Sequence, residues 1–353
     1  MKKILVVDFN GTSSVYTHYL SNGLKSEKNQ VKILGKKKPE FLDVFEDCNE
    51  YLGVKTGIKL IDYILNWFWL LINYKNFDCI VIQWLQLVKF FKLEVYIVSY
   101  LQSRIPLVYI VHNLYPHNSK KGKVRRRYNA LYRTCNNIAV QTKEVKKTIK
   151  TINPKANIIR IEHGLFFKDF RKNRPQTVPT KCLMVGYVTK YKGVEDALRV
   201  VQKLKNQNIV VTLDIIGLGN PCYIDELNKK IESLQVSDRV KIISKEVSTK
   251  RMIDKISEAS MLWLPYREIS QSGVSYTAMG LGVPIVGYDV GNFKEAFGEK
   301  NISEIVSKGN IDEFSSAVIK IIENNIFYKR NIGKLFTNDL WKMNKTIIEN
   351  IFE

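Results

Sequence analysis

The chain has 353 residues, enough for two domains with separate cores, and its 45% hydrophobic and 25% charged residues are the proportions of a globular protein. Its five cysteines are scattered, with no Cys-x-x-Cys pair, which argues against a disulfide framework or a zinc site and for a reducing cytosol. The apolar stretch behind the N-terminus is too short for a signal peptide, and the longest apolar segment, 63–74, is too short to span a bilayer, so a soluble chain is expected.

The net charge of +21 is unevenly spread: residues 1–165 hold 27 basic and 12 acidic side chains. In chain order, KILVVDF (3–9) reads as a buried strand, SVYTHYLSNGLKS (14–26) as a helix and QVKILG (30–35) as the next strand. FDCIVIQWL (77–85) and IPLVYIVHNL (105–114) are β-branched apolar runs of the kind that parallel sheets bury on both faces. No acid lies between Glu94 and Glu144, and the densest basic stretch, 119–135, reads as an amphipathic helix. Val124, Tyr128, Leu131, Tyr132 and Cys135 share its apolar face, with Arg125, Arg126 and Arg133 away from it. Such a helix is either an ordinary solvated surface or a contact for an anionic membrane or partner. Nucleic acid is not expected, since neither stacking aromatics of an RNP type nor a helix-turn-helix pattern accompanies the charge.

NNIAVQT and NIIRIEHG continue the strand series before a charged, proline-containing stretch, 166–180, that reads as a linker. Five further apolar strands follow, from KCLMVGYV to VPIVGYD, each separated by helix-length segments. Strands alternating with helices predict an α/β protein of two doubly wound, Rossmann-like sheets. The expected division is 1–165, linker 166–180, a second domain 181–335, and a last helix, 336–353, crossing back to the first domain. Ligands of such sheets bind beyond the carboxyl ends of the strands, so a site facing an interdomain cleft is expected.

Ser272 and Gly273 stand at a helix start directly behind an apolar strand. Serine there is an ordinary N-cap, yet unpaired N–H groups, the helix dipole and a glycine that admits close approach also make an anion site. Two neighbours strengthen that reading. GYVTKYKG places Gly186 after a strand and Lys192-Gly193 at a helix start, and IIGLGN supplies Gly217 at a third strand end. Dinucleotide binding is disfavoured, because no strand is followed by Gly-x-Gly-x-x-Gly and GLGNP fails at the third glycine.

In this order the motifs resemble the GT-B glycosyltransferases, and glycosyltransferase family 4 in particular. The resemblance is specific over 181–300 and looser before it, where DFNGTSS, VHNLYPHN and IEHG occupy corresponding places. It implies a nucleotide-sugar donor held by the second domain, with Gly11, Gly186, Lys192, Gly217, Ser272, Gly273, Val274, Thr277 and Glu295 as binding positions. His112, Lys192 and Glu268 are implied to be catalytic, His112 as a polar contact or a base. His163 is read as a hinge or positioning residue, and His117 as structural or acceptor-facing. The chain departs from the family at Tyr187, where an arginine is usual, and at Thr277, where the second glutamate of a Glu-x7-Glu pair is usual. Some bacterial polysaccharide transferases resemble it in carrying SQSGV, which shifts diphosphate binding onto the Ser-Gly backbone.

No Asp-x-Asp occurs, so neither a metal nor another cofactor is expected; the nucleoside-diphosphate sugar is a co-substrate. The resemblance implies retention of configuration, with domain closure over the donor. A lipid-linked or oligosaccharide acceptor is expected on the first domain, with His117, Lys120, Lys121, Lys123, Arg125, Arg126 and Arg127 at an anionic inner-membrane face. The cytoplasmic side of that membrane, with peripheral attachment, is the expected location. A sugar-nucleotide epimerase, a phosphorylase and a non-catalytic binding partner are the alternatives.

Overall fold

The computed structural model describes residues 1–9, 11, 14–35, 44–45, 50–116, 122–171, 180–269, 271–298, 301–337, 339–349 and 351. They form two compact units, Met1–Gly164 with Asp339–Glu353, and Leu165–Asn338. The stretch read as a linker falls in the second unit as far as Arg171, and 172–179 lie outside the described residues.

The first unit alternates β1 (Lys2–Asp8), α1 (Ser14–Leu24), β2 (Asn29–Gly35), β3 (Glu50–Leu52), α2 (Lys59–Asn73), β4 (Cys79–Ile82), α3 (Leu93–Gln102), β5 (Leu107–Val111), α4 (Gly122–Thr134), β6 (Asn137–Val140), α5 (Lys143–Ile152) and β7 (Asn157–Arg160). Its seven strands lie in the order β3-β2-β1-β4-β5-β6-β7, with parallel pairs throughout. The central strands have no exposed face: Ile4 to Val7 and Ile80 to Ile82 are each fully buried. That is why the sequence shows them as continuous apolar runs rather than as alternations.

The second unit contains β8 (Lys181–Val185), α6 (Val194–Asn206), β9 (Thr212–Ile216), α7 (Pro221–Ser233), β10 (Val240–Ile243), α8 (Thr249–Glu258), β11 (Met261–Leu264), α9 (Gly273–Gly280), β12 (Ile285–Tyr288), β13 (Ser303–Val306), α10 (Ile311–Glu323) and α11 (Asn325–Lys334). The strand order is β10-β9-β8-β11-β12-β13, again all parallel. The last helix, α12 (Leu340–Glu349), packs on α1 of the first unit. Its Trp341 stacks on Tyr19 and meets Tyr16 edge-on.

In both sheets the winding direction reverses beside the first strand, at β1/β4 and at β8/β11. Right-handed crossovers then send the two chain connections to opposite faces, which leaves a crevice at the carboxyl ends of those paired strands. The sequence reading missed β3 and β13. Both are short edge strands, only partly buried, so neither carries the apolar run of the inner strands.

Candidate active site

In the second unit the crevice is built from glycines and one lysine. β8 ends at Val185, and Gly186 turns the chain out of the sheet with φ +103°. A β-carbon at Gly186 would stand 2.6 Å from Lys192 Nζ, so glycine here makes room for that ammonium. Lys192 closes a 3-10 turn and donates to the Val185 carbonyl at 3.1 Å. Its Nζ lies 5.5 Å from the centre of the Tyr266 ring, and the residue is only 8% exposed. Desolvation pulls its pKa from 10.5 down to about 8. Beneath it lies a cavity of about 10 Å3, lined by Met184, Ile215, Trp263 and Tyr266, room for one water and not for a nucleotide.

Gly193 follows at φ +69°, and a β-carbon there would overlap the Pro265 carbonyl oxygen. The entry to α6 therefore sits on the backbone at the exit of β11. Gly217, at φ +145°, is packed in the same way on the Gly186 carbonyl.

Two residues behind β11 that sequence reasoning passed over complete this frame. Tyr266 is buried, and burial holds its phenol pKa above the ordinary value, with the nearby Ser272 side chain acting in the other direction. Arg267 donates its backbone N–H to Tyr191 at 2.7 Å, and its guanidinium grips Asp196, in the first turn of α6, at 2.9 and 3.3 Å. Tyr288, on β12, donates to the same carboxylate at 3.3 Å. The PYRE segment drew attention only to Glu268, which is exposed in the loop.

Ser272 is the N-cap of α9, buried, and its side chain does not cap the helix. Gly273 is exposed, and a β-carbon on it would meet only the Phe166 ring at an ordinary 3.6 Å. Packing therefore does not require glycine at 273, whereas close approach by a ligand would. Val274 is half-buried beside it. Thr277 is buried and donates its hydroxyl to the Gly273 carbonyl at 2.9 Å, so its polar group is used inside α9. Glu295 is exposed on the π-helical turn Lys294–Gly298. Among the expected positions, the structure thus gathers Gly186, Lys192 and Gly217 at the ends of β8 and β9.

In the first unit, Gly11 turns the chain behind β1 at φ +62° and donates to the Asp8 carbonyl at 3.0 Å. His112, behind β5, is half-buried, stacked on Trp84 at 5.3 Å and met edge-on by Tyr16 at 4.6 Å. Its Nε2 lies 3.1 Å from the Gln83 amide oxygen. Crowding by low-dielectric surroundings lowers its pKa to about 3, with nearby His163 as a further cause, so the ring is neutral at physiological pH. α4 turns Tyr128, Leu131 and Tyr132 into the core and leaves Lys123, Arg125 and Arg126 exposed, while Arg127 donates to the Lys89 carbonyl at 2.7 Å. His117, Lys120 and Lys121 lie outside the described residues.

One pH dependence follows from Lys192. If it meets a nucleoside diphosphate as a cation, affinity is full below pH 8 and falls above it, by up to about tenfold per pH unit, as the free protein loses the proton that the complex retains. Calorimetric titration at pH 7, 8 and 9 measures this slope, and Lys192→Met should flatten it.

With the geometry established, comparison with known proteins gives a consistent result. Residues 166–334 match the family described as "Glycosyl transferases group 1". A GDP-mannose:glycolipid 4-beta-D-mannosyltransferase of Xanthomonas campestris pv. campestris is 24% identical over 184 residues, which cover 51% of this chain and 49% of that protein. The chain thus matches about half the length of this curated relative. Among solved structures, HepE of Anabaena in complex with UDP-glucose is similar at TM-score 0.72 and 15% identity, covering 99% of both chains. A glycosyltransferase from Rickettsia africae gives 0.70 at 13% identity, covering 100% and 99%. WaaG, a glycosyltransferase involved in lipopolysaccharide biosynthesis, gives 0.63 at 14%, covering 99% of both. At these identities the likeness is one of fold, and that fold is GT-B.

Proposed function

We propose, from the group 1 glycosyl transferase domain that residues 166–334 form, that the chain moves a sugar from a nucleoside-diphosphate sugar to an acceptor in bacterial surface polysaccharide or glycolipid synthesis. The observation that carries this reading is Lys192, a lysine buried in the switch-point crevice of that very domain, with Gly186 making room for its ammonium. As the glycosidic bond to the diphosphate breaks, negative charge gathers on the leaving group and positive charge on the sugar ring. Lys192, swung outward from the Val185 carbonyl, and the open N–H groups of Gly273 and Val274 would take up the negative charge. Glu268 and Glu295 would contact the sugar or its loop, and on the first unit His112 is the candidate catalytic group.

In this reading transfer needs no metal and retains configuration. GDP-mannose and UDP-glucose are the donors to try first, because relatives of this chain carry them in their names. Direct binding of UDP, GDP, ADP and CMP by calorimetry is the test, followed by release of free nucleotide on adding an acceptor. Selective binding of one nucleotide with acceptor-dependent release supports the reading. Release without an acceptor points to other sugar-nucleotide chemistry, and no binding at all overturns it. Gly273→Ala should fold normally and bind the nucleotide more weakly.

We also propose a lipid-linked acceptor at an anionic membrane surface on the cytoplasmic side. The outer side of α2 exposes Ile61, Ile64, Phe68 and Ile72, and beside it Phe90, Phe91, Leu93 and Tyr96 stand exposed with Lys89 and Lys92 among them. Beneath this patch the buried Glu94 carboxylate takes hydrogen bonds from Tyr63, Trp67 and Val88, which ties the 87–93 segment to α2. Apolar side chains interleaved with cations suit an anionic bilayer, and no helix among the described residues is long and apolar enough to cross one. Flotation with anionic vesicles should carry the wild-type chain and lose most of it on Phe90→Glu with Phe91→Glu. Failure of the wild type to float at low salt sinks the membrane proposal and leaves the donor reading standing.

A further inference from the structure

We infer that a buried hydrogen-bond chain, Asp8–Thr17–Gln83, holds His112 in its Nε2–H tautomer and presents Nδ1 as the acceptor edge of the ring. The members come from separate elements: Asp8 ends β1, Thr17 lies on α1, and Gln83 and His112 follow β4 and β5. Thr17 Oγ1 donates to Asp8 Oδ2 at 2.9 Å, Gln83 Nε2 donates to Thr17 Oγ1 at 2.9 Å, and Gln83 Oε1 lies 3.1 Å from His112 Nε2. Asp8, Thr17 and Gln83 are 2%, 1% and 1% exposed.

The direction of this chain follows from the chemistry of its end. A carboxylate accepts only, so the Thr17 hydroxyl gives its proton to Asp8 and offers a lone pair to Gln83. Gln83 must turn its amide N–H toward Thr17, which leaves its oxygen facing the imidazole. An oxygen acceptor 3.1 Å from Nε2 requires a proton on Nε2, and a neutral ring then has none on Nδ1. The stack on Trp84 and the edge contact with Tyr16 hold the ring plane, while the hydrogen bond holds its rotation. His163 obeys the opposite rule: its Nδ1 lies 2.8 Å from the Gly164 carbonyl, so that ring carries its proton on Nδ1. Two neutral histidines thus pack against Tyr16, at 4.6 and 5.3 Å, with opposite tautomers.

Buried polar chains also occur as plain structural devices, satisfied and inert. This chain differs in ending on a ring that is half-buried and reaches the surface at the carboxyl end of the sheet, beside the switch point. Asp8, Thr17 and Gln83 are thereby positioning residues, acting through His112.

The test uses the full-length chain labelled with nitrogen-15 histidine and long-range proton–nitrogen correlation spectra at pH 7.5. The His112 signals, identified by their loss in His112→Gln, should show Nε2 protonated and Nδ1 bare, and those of His163 the reverse. Gln83→Leu and Thr17→Val should mix or invert the His112 tautomer, and Thr17→Ser should restore it. An Nδ1–H tautomer at His112 in the wild type, or a tautomer unmoved by both Gln83→Leu and Thr17→Val, overturns the inference. The unchanged His163 pattern reports that a variant is folded, and if one variant does not fold the other decides. A second readout rests on the transferase reading: Gln83→Leu should lower kcat by about tenfold while the donor KM stays within about twofold, as for a group acting in the transition state. Because the spectra need no activity, failure of the transferase reading and failure of this inference show up separately.

Discussion

Lys192→Met is expected to lower kcat/KM for the sugar nucleotide by about 100- to 1,000-fold and to leave the protein as stable as the wild type or more so, in the range of losses seen when one preorganised charge-stabilising group is removed. The two halves of this prediction have one cause. Val185 offers the ammonium a single carbonyl and Tyr266 its ring, and burial lowers the pKa from 10.5 to about 8, so the fold resists the very charge that it houses. That resistance corresponds to roughly 3 kcal/mol at neutral pH. Methionine fills the same space without a charge to desolvate, so the melting temperature should not fall. A lysine kept only for structure would behave in the opposite way, its loss lowering stability and sparing turnover. Steady-state kinetics and thermal melts on the same preparation separate the two. A kcat/KM within about twofold of wild type would remove Lys192 from the proposed mechanism.

Gly193→Val is expected to destabilise the second unit by about 3–5 kcal/mol, among the largest effects of any single substitution in this chain. Two costs combine. The residue sits at φ +69°, where a β-branched side chain is strained, and a β-carbon would overlap the Pro265 carbonyl oxygen, a backbone atom that cannot swing aside. Relief would require β11 and the start of α6 to part, and Arg267 holds them together through Tyr191 and Asp196. Urea denaturation followed by tryptophan fluorescence, with Trp263 buried in this unit, measures the loss. A change below about 1 kcal/mol would show that the loop relaxes freely. Gly273→Ala is the companion control, since its β-carbon meets only a ring edge at 3.6 Å.

How much of this was readable in the sequence depends on what each feature needs. The inner strands announce themselves because both faces are buried, so ILVV (4–7) and MLWL are apolar without interruption. The edge strands β3 and β13 need fewer apolar residues and gave no such signal. Lys192 was legible because lysine next to glycine, behind a strand, is a local pattern with a chemical meaning. Gln83 and Thr17 were not: each is an unremarked polar residue in its own segment, and they meet across 66 positions of chain. Asp196 and Arg267 meet across 71 positions, and neither is the residue that the pattern of its own segment singled out.

The sequence by itself determined the alternation of strand and helix, the two-sheet architecture and the glycine positions where the backbone must turn at positive φ. All of these follow from periodicity and from local sterics, which act over a few residues. Tertiary structure alone decided the strand order that brings β1 beside β4 and β8 beside β11, and with it the neighbours of each polar side chain. It decided that the Lys192 ammonium is buried under Gly186, that Thr277 turns its hydroxyl into its own helix, and that Gln83 faces His112. The physical reason is that a buried polar group must find a partner wherever the folded sheet supplies one, and the reversal of strand order supplies it from distant parts of the chain.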